Sequence, residues 1–143
     1  MILLDTNVVS ELMRTVPAQP VLDWFAKHDA ADLFISAVTE AELRTGVAIL
    51  PEGQRRDRLQ LAIDAMIDQD FQARVIPFDS PAAKAYAEIA AQRRTSGRPI
   101  AEADCQIAAI ARATDAPIAT RNVKDFDGCG VRVINPWNAD ERR

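Results

Sequence analysis

Short apolar runs alternate along this chain with longer segments that carry a helical pattern of apolar residues, and this alternation constrains the fold more than any other feature. Strands that are connected by helices lie parallel in a sheet, and the helices cover both of its faces. The sequence therefore predicts an α/β protein with three α/β/α layers and a mostly parallel central sheet. No linker, repeat or low-complexity stretch interrupts the pattern, so residues 1–143 are expected to form one domain.

The expected elements follow from the apolar runs and from the residues that flank them. The predicted strands are the five short apolar runs, at residues 2–4, 33–36, 74–78, 117–120 and 131–134. The predicted helices run from a cap at residue 5 to about residue 14, and over residues 21–25, 38–50, 54–71, 80–97 and 100–114. Ser80 is expected to cap its helix with Pro81 in the first turn, and Gly97 is expected to end it. The polar tail, residues 135–143, is expected to be loose at its end.

Two of the predicted helices place a carboxylate on an apolar face. Asp104 lies in the middle of a stripe that includes Ile100 and Ile107, and Glu42 falls inside the broad apolar face of its own helix. A third acid, Asp5, ends the first apolar run. Unpaired buried carboxylates are costly, so these acids are expected to pair with a cation. Clustered oxygen ligands suit a divalent metal such as Mg²⁺ or Mn²⁺.

The position of these acids relative to the predicted strands suggests where they meet. In open parallel sheets, sites form beyond the carboxyl ends of the strands. Asp5 follows the first strand, and the polar segment 120–122 follows a later one. Glu42 and Asp104 can reach the same edge from flanking helices. The sequence therefore predicts that the three carboxylates converge on one rim of the sheet.

Composition excludes several other kinds of site. His28 is the only histidine, which argues against a histidine zinc site and against a Ser-His-Asp triad. Cys105 and Cys129 are far apart in the sequence and fit small buried side chains in a reducing compartment. A net charge of -4 and a pI near 5.0 argue mildly against a protein that coats nucleic acid. No membrane span or secretory signal is predicted, so the expected location is the cytoplasm.

A set of short motifs, in a fixed order, carries a family resemblance. The chain opens with Leu-Asp-Thr-Asn at residues 4–7, the most specific of these motifs. It continues with Ala-Glu-Leu at 41–43 and a glycine at 46, and with Ala-Glu-Ala-Asp at 101–104. Thr-Arg-Asn at 120–122, Asp-Phe at 125–126 and Asn-Pro-Trp at 135–137 complete the set. Together they resemble PIN-domain ribonucleases of the VapC and FitB type, which are the toxins of bacterial toxin–antitoxin pairs, and the resemblance covers essentially the whole chain.

The resemblance implies a catalytic site. Members of this family hold one or two Mg²⁺ or Mn²⁺ ions on a cluster of acids and cut RNA. The family's metal ligands match Asp5, Glu42 and Asp104, and its fourth position falls on Asn122, where some members have aspartate. Thr120, together with Thr6 and Asn7, matches polar positions that orient the acids or a water. The expected catalytic residues are therefore Asp5, Glu42, Asp104, Thr120 and Asn122.

The resemblance also implies partners. Its members act on structured RNA, often tRNA, and are held inactive by a cognate antitoxin whose tail blocks the acidic site. A homodimer and a toxin–antitoxin hetero-oligomer are therefore expected. Trp24, Phe25 and Trp137 are large residues in segments that are expected to be peripheral, which gives this assembly modest support.

Two other functions remain open on the sequence. Because Asn122 replaces the fourth acid, the chain can also be a catalytically weak PIN-fold module that binds an antitoxin or nucleic acid. A metal-dependent phosphatase on a similar sheet ranks lower, because such enzymes usually carry Asp-x-Asp after the first strand and here Asn7 stands at the third position.

The roles of some residues near the predicted site are also open. The sequence does not fix the number of metals or the role of Asp125, which either acts through water or caps a turn. The basic residues at 93, 94 and 98 either complement a helix dipole or contact RNA or antitoxin.

Overall fold

A five-stranded sheet forms the centre of the fold. In the computed structural model, which describes residues 1–141, the neighbouring strands are all parallel and follow the order β3-β2-β1-β4-β5. The strands are β1 (Ile2–Leu4), β2 (Leu33–Ser36), β3 (Val75–Ile76), β4 (Ile118–Ala119) and β5 (Val133–Ile134). The first strand of the chain is therefore the central one. Every predicted strand is present, although the last three are shorter than the apolar runs that predicted them.

Six α-helices in the described residues cover the two faces of the sheet. They are α1 (Thr6–Leu12), α2 (Gln19–Ala26), α3 (Ala37–Ala48), α4 (Gln54–Ala65), α5 (Ser80–Thr95) and α6 (Glu102–Ala113). Short 3-10 helices occur at Ala30–Asp32, Val123–Phe126 and Pro136–Glu141. Within residues 1–141, none of the helices has the length and apolar character needed to cross a membrane. The prediction of three α/β/α layers is confirmed.

The alternation of side chains along the strands divides the core in two. Successive residues of a strand point to opposite faces of the sheet. On one face, Leu3 and Ile118 pack with α5 and α6. On the other, Leu4 and Ile35 pack with helices α1 to α4. Both faces of β1 are fully buried, which fixes the register of the strand that leads into Asp5.

Two details of the predicted helices are wrong. The helix predicted over residues 54–71 ends at Ala65 and continues as a π-helical turn, Met66–Asp70. Asp79, not Ser80, caps α5, and its carboxylate accepts a hydrogen bond from the backbone N–H of Ala82 at 3.1 Å. Ser80 and Pro81 instead occupy the first turn of the helix. The predicted stop at Gly97 is confirmed: its φ of 75° lets the chain reverse, so that the N–H of Arg98 bonds the carbonyl of Arg93 at 2.9 Å.

The aromatic residues are less peripheral than the sequence indicated. Trp24 is only 2% exposed, and the edge of its ring packs against Phe25, with 5.3 Å between centroids. Trp137 is half-buried and packs against the core on the side of helices α1 to α4. The peripheral position expected for Trp24 is therefore wrong, because α2 turns this face inward. The looseness expected at the end of the tail concerns residues 142 and 143, which lie outside the described residues.

Candidate active site

A polar cavity of about 470 Å³ lies at the carboxyl ends of β1 and β4. Three elements bring the predicted acids to it: Asp5 follows β1, Glu42 comes from α3 and Asp104 from α6. We call this cavity the acidic pocket; its other lining residues are Thr6, Asn7, Ser10, Glu11, Arg14, Arg121, Asn122 and Trp137. A larger cavity of about 750 Å³ lies beside it and shares Ser10 and Arg14, but no acidic residue lines it.

Asp5 is buried and serves two purposes at once. It caps α1, because its Oδ1 accepts a hydrogen bond from the backbone N–H of Thr6 at 2.8 Å. Its Oδ2 accepts hydrogen bonds from the Thr120 hydroxyl at 2.7 Å and from the Asn7 amide at 3.1 Å. Burial raises the pKa of Asp5, while the bonds from Thr120 and Thr6 oppose that rise. The carboxylate is therefore held in one orientation at the carboxyl end of β1.

Thr120 and Asn7 connect the end of β4 to the start of α1. The Thr120 hydroxyl, which donates to Asp5, also accepts hydrogen bonds from the Asn7 amide at 3.2 Å and from the backbone N–H of Asn122 at 3.0 Å. Asn7 in turn accepts from the backbone N–H of Arg121 at 3.2 Å. Thr120 is fully buried. This network fixes the segment after β4 relative to Asp5.

Asp104 lies in the first turn of α6 and is half-buried. Its pKa is raised to about 6, mainly by burial and also by the charges of Asp5, Asp125 and Glu42. Arg93 acts in the opposite direction, as the weakest of these influences. Among the described residues, Asp104 makes no ion pair. The sequence put Asp104 in the middle of an apolar stripe, and the structure leaves it half-buried, about one turn before the buried residues Ile107 to Ala111.

Glu42 is exposed, so the expectation that it lies inside an apolar face is wrong. The face of α3 that packs on the core consists of Thr39, Leu43 and Val47, and Ile49 is 78% exposed. Helix phase alone could not show that an apolar residue such as Ile49 faces solvent. Glu42 borders the buried face, and its Oε1 accepts a hydrogen bond from the Thr6 hydroxyl at 2.5 Å. It nevertheless lines the acidic pocket together with the other two acids.

Asn122 and Asp125 differ in their relation to the pocket. Asn122 is exposed and lines it, held by the bond between its backbone N–H and Thr120. Asp125 lies in the 3-10 helix that follows and does not line the pocket. Its charge still contributes to the raised pKa of Asp5 and of Asp104.

The three arginines near the end of α5 have separate environments. Arg93 is buried and donates hydrogen bonds to the carbonyls of Arg98 at 2.7 Å, Asp125 at 3.0 Å and Asp127 at 3.1 Å. Arg98 forms an exposed ion pair with Asp127 at 3.2 Å. Arg94 is exposed. Arg93 therefore supports the segment that follows Asn122, and its burial removes it from any surface that could contact RNA.

Several residues line the pocket although the sequence did not mark them as site residues, among them Glu11, Arg14, Arg121 and Trp137. Glu11 is buried and accepts hydrogen bonds from the backbone N–H of Ala18 at 2.7 Å and from Arg14 at 3.3 Å. The bond from Ala18 is the main reason that the pKa of Glu11 lies below its usual value. Spacing gave a usable signal, because residues 7, 10, 11 and 14 share one face of a helix. For Arg121 and Trp137 no periodicity was available, since both lie in irregular segments.

The acidic pocket matches a divalent metal in the chemistry of its donors. Of the four carboxylates that line the cavity, Glu11 pairs with Arg14, whereas Asp5, Glu42 and Asp104 pair with no lysine, arginine or histidine among the described residues. In residues 1–141, no three acidic, histidine or cysteine side chains already stand in an arrangement that would hold one ion. Like charges repel, and Thr6 draws the carboxylate of Glu42 toward α1. Small side-chain rotations would therefore have to accompany binding.

Comparisons with known proteins agree with this geometry. A family model described as the PIN domain matches residues 2–128. The VapC ribonuclease Y4jK of Sinorhizobium fredii is 43% identical over 137 residues, which cover 96% of this chain and 98% of that protein. The toxin FitB of Neisseria gonorrhoeae is 42% identical over 138 residues, which cover 96% of this chain and 99% of that protein.

Solved structures resemble the fold over nearly its full length. A structure of FitAB bound to an IR36 DNA fragment contains a chain that is 40% identical, with complete coverage of both chains and a TM-score of 0.93. A second structure, of VapBC-5 from Mycobacterium tuberculosis, is described as a member of the VapBC family of toxin–antitoxin systems. It is 27% identical, with a TM-score of 0.68 and coverage of 93% of this chain and 96% of that chain. The chain therefore belongs to the PIN-domain family, among proteins of the VapC and FitB type.

Proposed function

We propose that this protein is a metal-dependent endoribonuclease that hydrolyses phosphodiester bonds of RNA at the acidic pocket, as the toxin of a toxin–antitoxin pair. The observation that carries the proposal is the convergence of Asp5, Glu42 and Asp104 on one cavity with no basic ion-pair partner among the described residues. Clustered carboxylates without a cation are unfavourable, so this arrangement has a cost that binding of a divalent ion removes. The names of the relatives, a VapC ribonuclease and a toxin FitB, support the same function.

In the proposed mechanism, Asp5, Glu42 and Asp104 would hold Mg²⁺ or Mn²⁺, because carboxylate oxygens are the ligands that these ions prefer. When bound, such an ion lowers the pKa of water and neutralises charge on the phosphate. Asp5 keeps a fixed orientation, because three donors already hold its two oxygens. Glu42 is the adaptable ligand, since it is exposed and only the Thr6 hydroxyl holds it.

The polar residues around Asp5 supply positioning. Thr120 holds Asp5 through its hydroxyl and holds Asn122 through the backbone N–H, so the two sides of the pocket move as one unit. Asn122 presents an amide where some relatives present a carboxylate, which leaves the pocket with one negative charge fewer. We therefore propose Thr120 and Asn122 as the residues that orient the acids or the attacking water, and Asp5, Glu42 and Asp104 as the metal ligands.

The proposed partners are RNA, with tRNA as one expected substrate, and a cognate antitoxin. The toxin–antitoxin description of the VapBC-5 structure supports the antitoxin, as does the PIN-domain membership of the chain. We further propose a homodimer in which each subunit also contacts an antitoxin segment.

The test is RNA cleavage by the purified protein. We expect cleavage in Mn²⁺ or Mg²⁺, loss of cleavage in EDTA, and recovery when the metal is restored. Asp104→Asn is expected to lower the rate at least a hundredfold, because it removes a charged ligand. Asp68→Asn is the matched control: it removes the same charge from an exposed position in the turn after α4, and it should cleave like the wild type.

Two results would contradict the proposal. Cleavage that persists in EDTA would exclude the metal mechanism. Failure of the wild-type protein to cleave any RNA in Mn²⁺, with metal binding unaffected by Asp104→Asn, would favour the alternative of a PIN-fold module that binds an antitoxin or nucleic acid without catalysis.

A further inference from the structure

Arg121 stands at the rim of the acidic pocket, where its backbone is fixed and its charged side chain is exposed. Its N–H donates to the side-chain oxygen of Asn7 at 3.2 Å, and its neighbours in the chain are Thr120 and Asn122. Consecutive Cα atoms are about 3.8 Å apart, so its backbone cannot move away from the acids without breaking the network around Asp5. Its side chain is exposed, and no carboxylate among residues 1–138, the part of the chain whose side chains the structure describes, lies within ion-pair distance of it.

The ring of Trp137 orients this side chain. The guanidinium carbon of Arg121 lies 5.1 Å from the centroid of the Trp137 ring, within the range of a cation–π contact. Trp137 is itself fixed, because its ring packs against the core and its backbone N–H donates to the side-chain oxygen of Asn135 at 2.9 Å. A guanidinium that stacks on an aromatic ring keeps its N–H groups at the edge of its plane, where they can form two parallel bonds to a phosphate.

A basic residue at the rim matters because the pocket and the protein as a whole are acidic. The chain carries a net charge of -4, and four carboxylates line the pocket against two arginines, so the pocket repels a nucleic-acid strand before any metal binds. A strand that brings one phosphate to the acids must place its neighbouring phosphates at the rim. Among the residues that line the pocket, only Arg14 and Arg121 are basic, and Arg14 is paired with Glu11 at 3.3 Å.

We propose that Arg121 binds a phosphate of the RNA strand next to the bond that is cleaved, and that Trp137 is the positioning residue that holds Arg121 for this contact. The inference rests on the proposed function in one respect, namely that the strand in the pocket is RNA. It assigns binding, and not a chemical step, to the two residues.

The experiment measures binding of a short fluorescein-labelled single-stranded RNA of mixed sequence by fluorescence anisotropy. EDTA is present so that the probe stays intact, and the probe is checked on a gel afterwards. Titrations at several KCl concentrations give the dependence of affinity on salt, which reports the number of phosphates that the protein neutralises. The variants are Arg121→Gln, Arg132→Gln, Trp137→Leu and Trp137→Phe.

Arg121→Gln is expected to weaken RNA binding about tenfold at low salt, the effect of losing one charged hydrogen-bonding contact. It should also reduce the slope of log affinity against log salt by about 0.7, the value for one phosphate contact on a single strand. Arg132→Gln is the matched control, because Arg132 is exposed just before β5, at the opposite end of the sheet. It removes the same charge and should leave the slope unchanged.

Trp137 is tested through its effect on Arg121. Trp137→Leu is expected to weaken binding, and Trp137→Phe should restore most of the loss, because phenylalanine keeps an aromatic face. When Arg121 is already glutamine, Trp137→Leu should cause little further loss of affinity, since the two residues act as a unit. A purely structural role would lower the melting temperature but would cause the same loss of affinity with or without Arg121.

Cleavage assays separate this inference from the proposed function. In Mn²⁺, Arg121→Gln should raise KM with little change in kcat, because it removes binding and leaves the acids intact. RNA that binds in the expected way but is never cleaved would refute the proposed function and leave the assignment of Arg121 standing. Cleavage by the wild type, combined with equal affinities and salt slopes for Arg121→Gln and Arg132→Gln, would overturn the assignment alone. Absence of both binding and cleavage in the wild type would overturn both.

Discussion

Asp104 is a carboxylate whose charge opposes folding when no metal is present. Its pKa rises from 3.8 to about 6 on folding, so the folded chain binds a proton more tightly than the unfolded chain does. The favourable contribution of this group is therefore fully present below about pH 4 and is lost as the pH rises through 6. Asparagine does not titrate, so the effect of Asp104→Asn on the free energy of unfolding should change with pH.

We expect Asp104→Asn to raise the free energy of unfolding of the metal-free protein by about 1 kcal/mol at pH 7.5, a value reduced for solvent screening of a half-buried group. The gain should shrink to nothing near pH 4. Thermal melts in EDTA over this pH range provide the measurement, with Asp68→Asn as the control for removal of an exposed charge. A gain that is constant with pH would contradict the assigned cause.

Asp5→Asn should have the opposite effect on stability, although it removes the same charge. Charge repulsion alone predicts a gain, but Asp5 accepts hydrogen bonds from Thr6, Asn7 and Thr120. The oxygen of asparagine can keep the cap, while its NH₂ group would face the Asn7 amide, which has no acceptor to offer at that contact. We expect the metal-free protein to lose about 1–2 kcal/mol and to lose RNA cleavage. Denaturant unfolding in EDTA is the measurement, and an increase in stability would show that repulsion outweighs these bonds.

Asn122→Asp should add a ligand charge to the pocket. The backbone bond to Thr120 does not depend on the side chain, so the segment should keep its position. We expect tighter Mn²⁺ binding by calorimetry and a lower melting temperature without metal, because a further carboxylate joins the unpaired Asp5, Glu42 and Asp104. Equal Mn²⁺ affinity in the two proteins would show that this side chain does not reach the ion.

The segment between β4 and β5 depends on one buried side chain from another element. Arg93 on α5 donates to the carbonyls of Asp125 and Asp127, which have no strand partner to replace it. Arg93→Met removes the buried donor that bonds these two carbonyls and the carbonyl of Arg98, and we expect a loss of about 3 kcal/mol. Chemical denaturation measures the loss, and Arg94→Gln, one residue further along and exposed, should change stability by less than about 0.5 kcal/mol. Similar values for the two variants would contradict the role given to Arg93.

The sequence predicted those elements whose local pattern agrees with their tertiary environment. β1 is apolar on both faces and ends at an acid, so the position of Asp5 could be inferred directly. The dense apolar face of α6 likewise made Asp104 recognisable as a carboxylate among buried residues. Glu42 was assigned to the wrong environment because helix phase treats every apolar residue as buried, whereas Ile49, which follows the last residue of α3, faces solvent owing to the packing of neighbouring elements. The bonds of Arg93 join parts of the chain about 30 residues apart, and no local pattern encodes them.

At the scale of the whole molecule, the assembly prediction depends on its surface. Trp24 is buried, so it offers no support for an interface. Singly exposed apolar residues such as Leu61, at 68%, do not define one either. The prediction of a homodimer therefore stands on the family alone. Light scattering at micromolar concentration is expected to give twice the chain mass of 15.7 kDa, and a strict monomer with and without antitoxin would count against it.

The position of the first strand at the centre of the sheet also has a consequence for folding. β1 pairs with β4, and the hydrogen bond from Thr120 to Asp5 joins residues that are 115 positions apart. Contacts between such distant residues form slowly, because the long intervening loop must close first. During synthesis, a ribosome must release most of the chain before Thr120 can reach Asp5. A nascent or truncated chain therefore contains the acids without the bonds that orient them, and the site is completed only when the molecule itself is nearly complete.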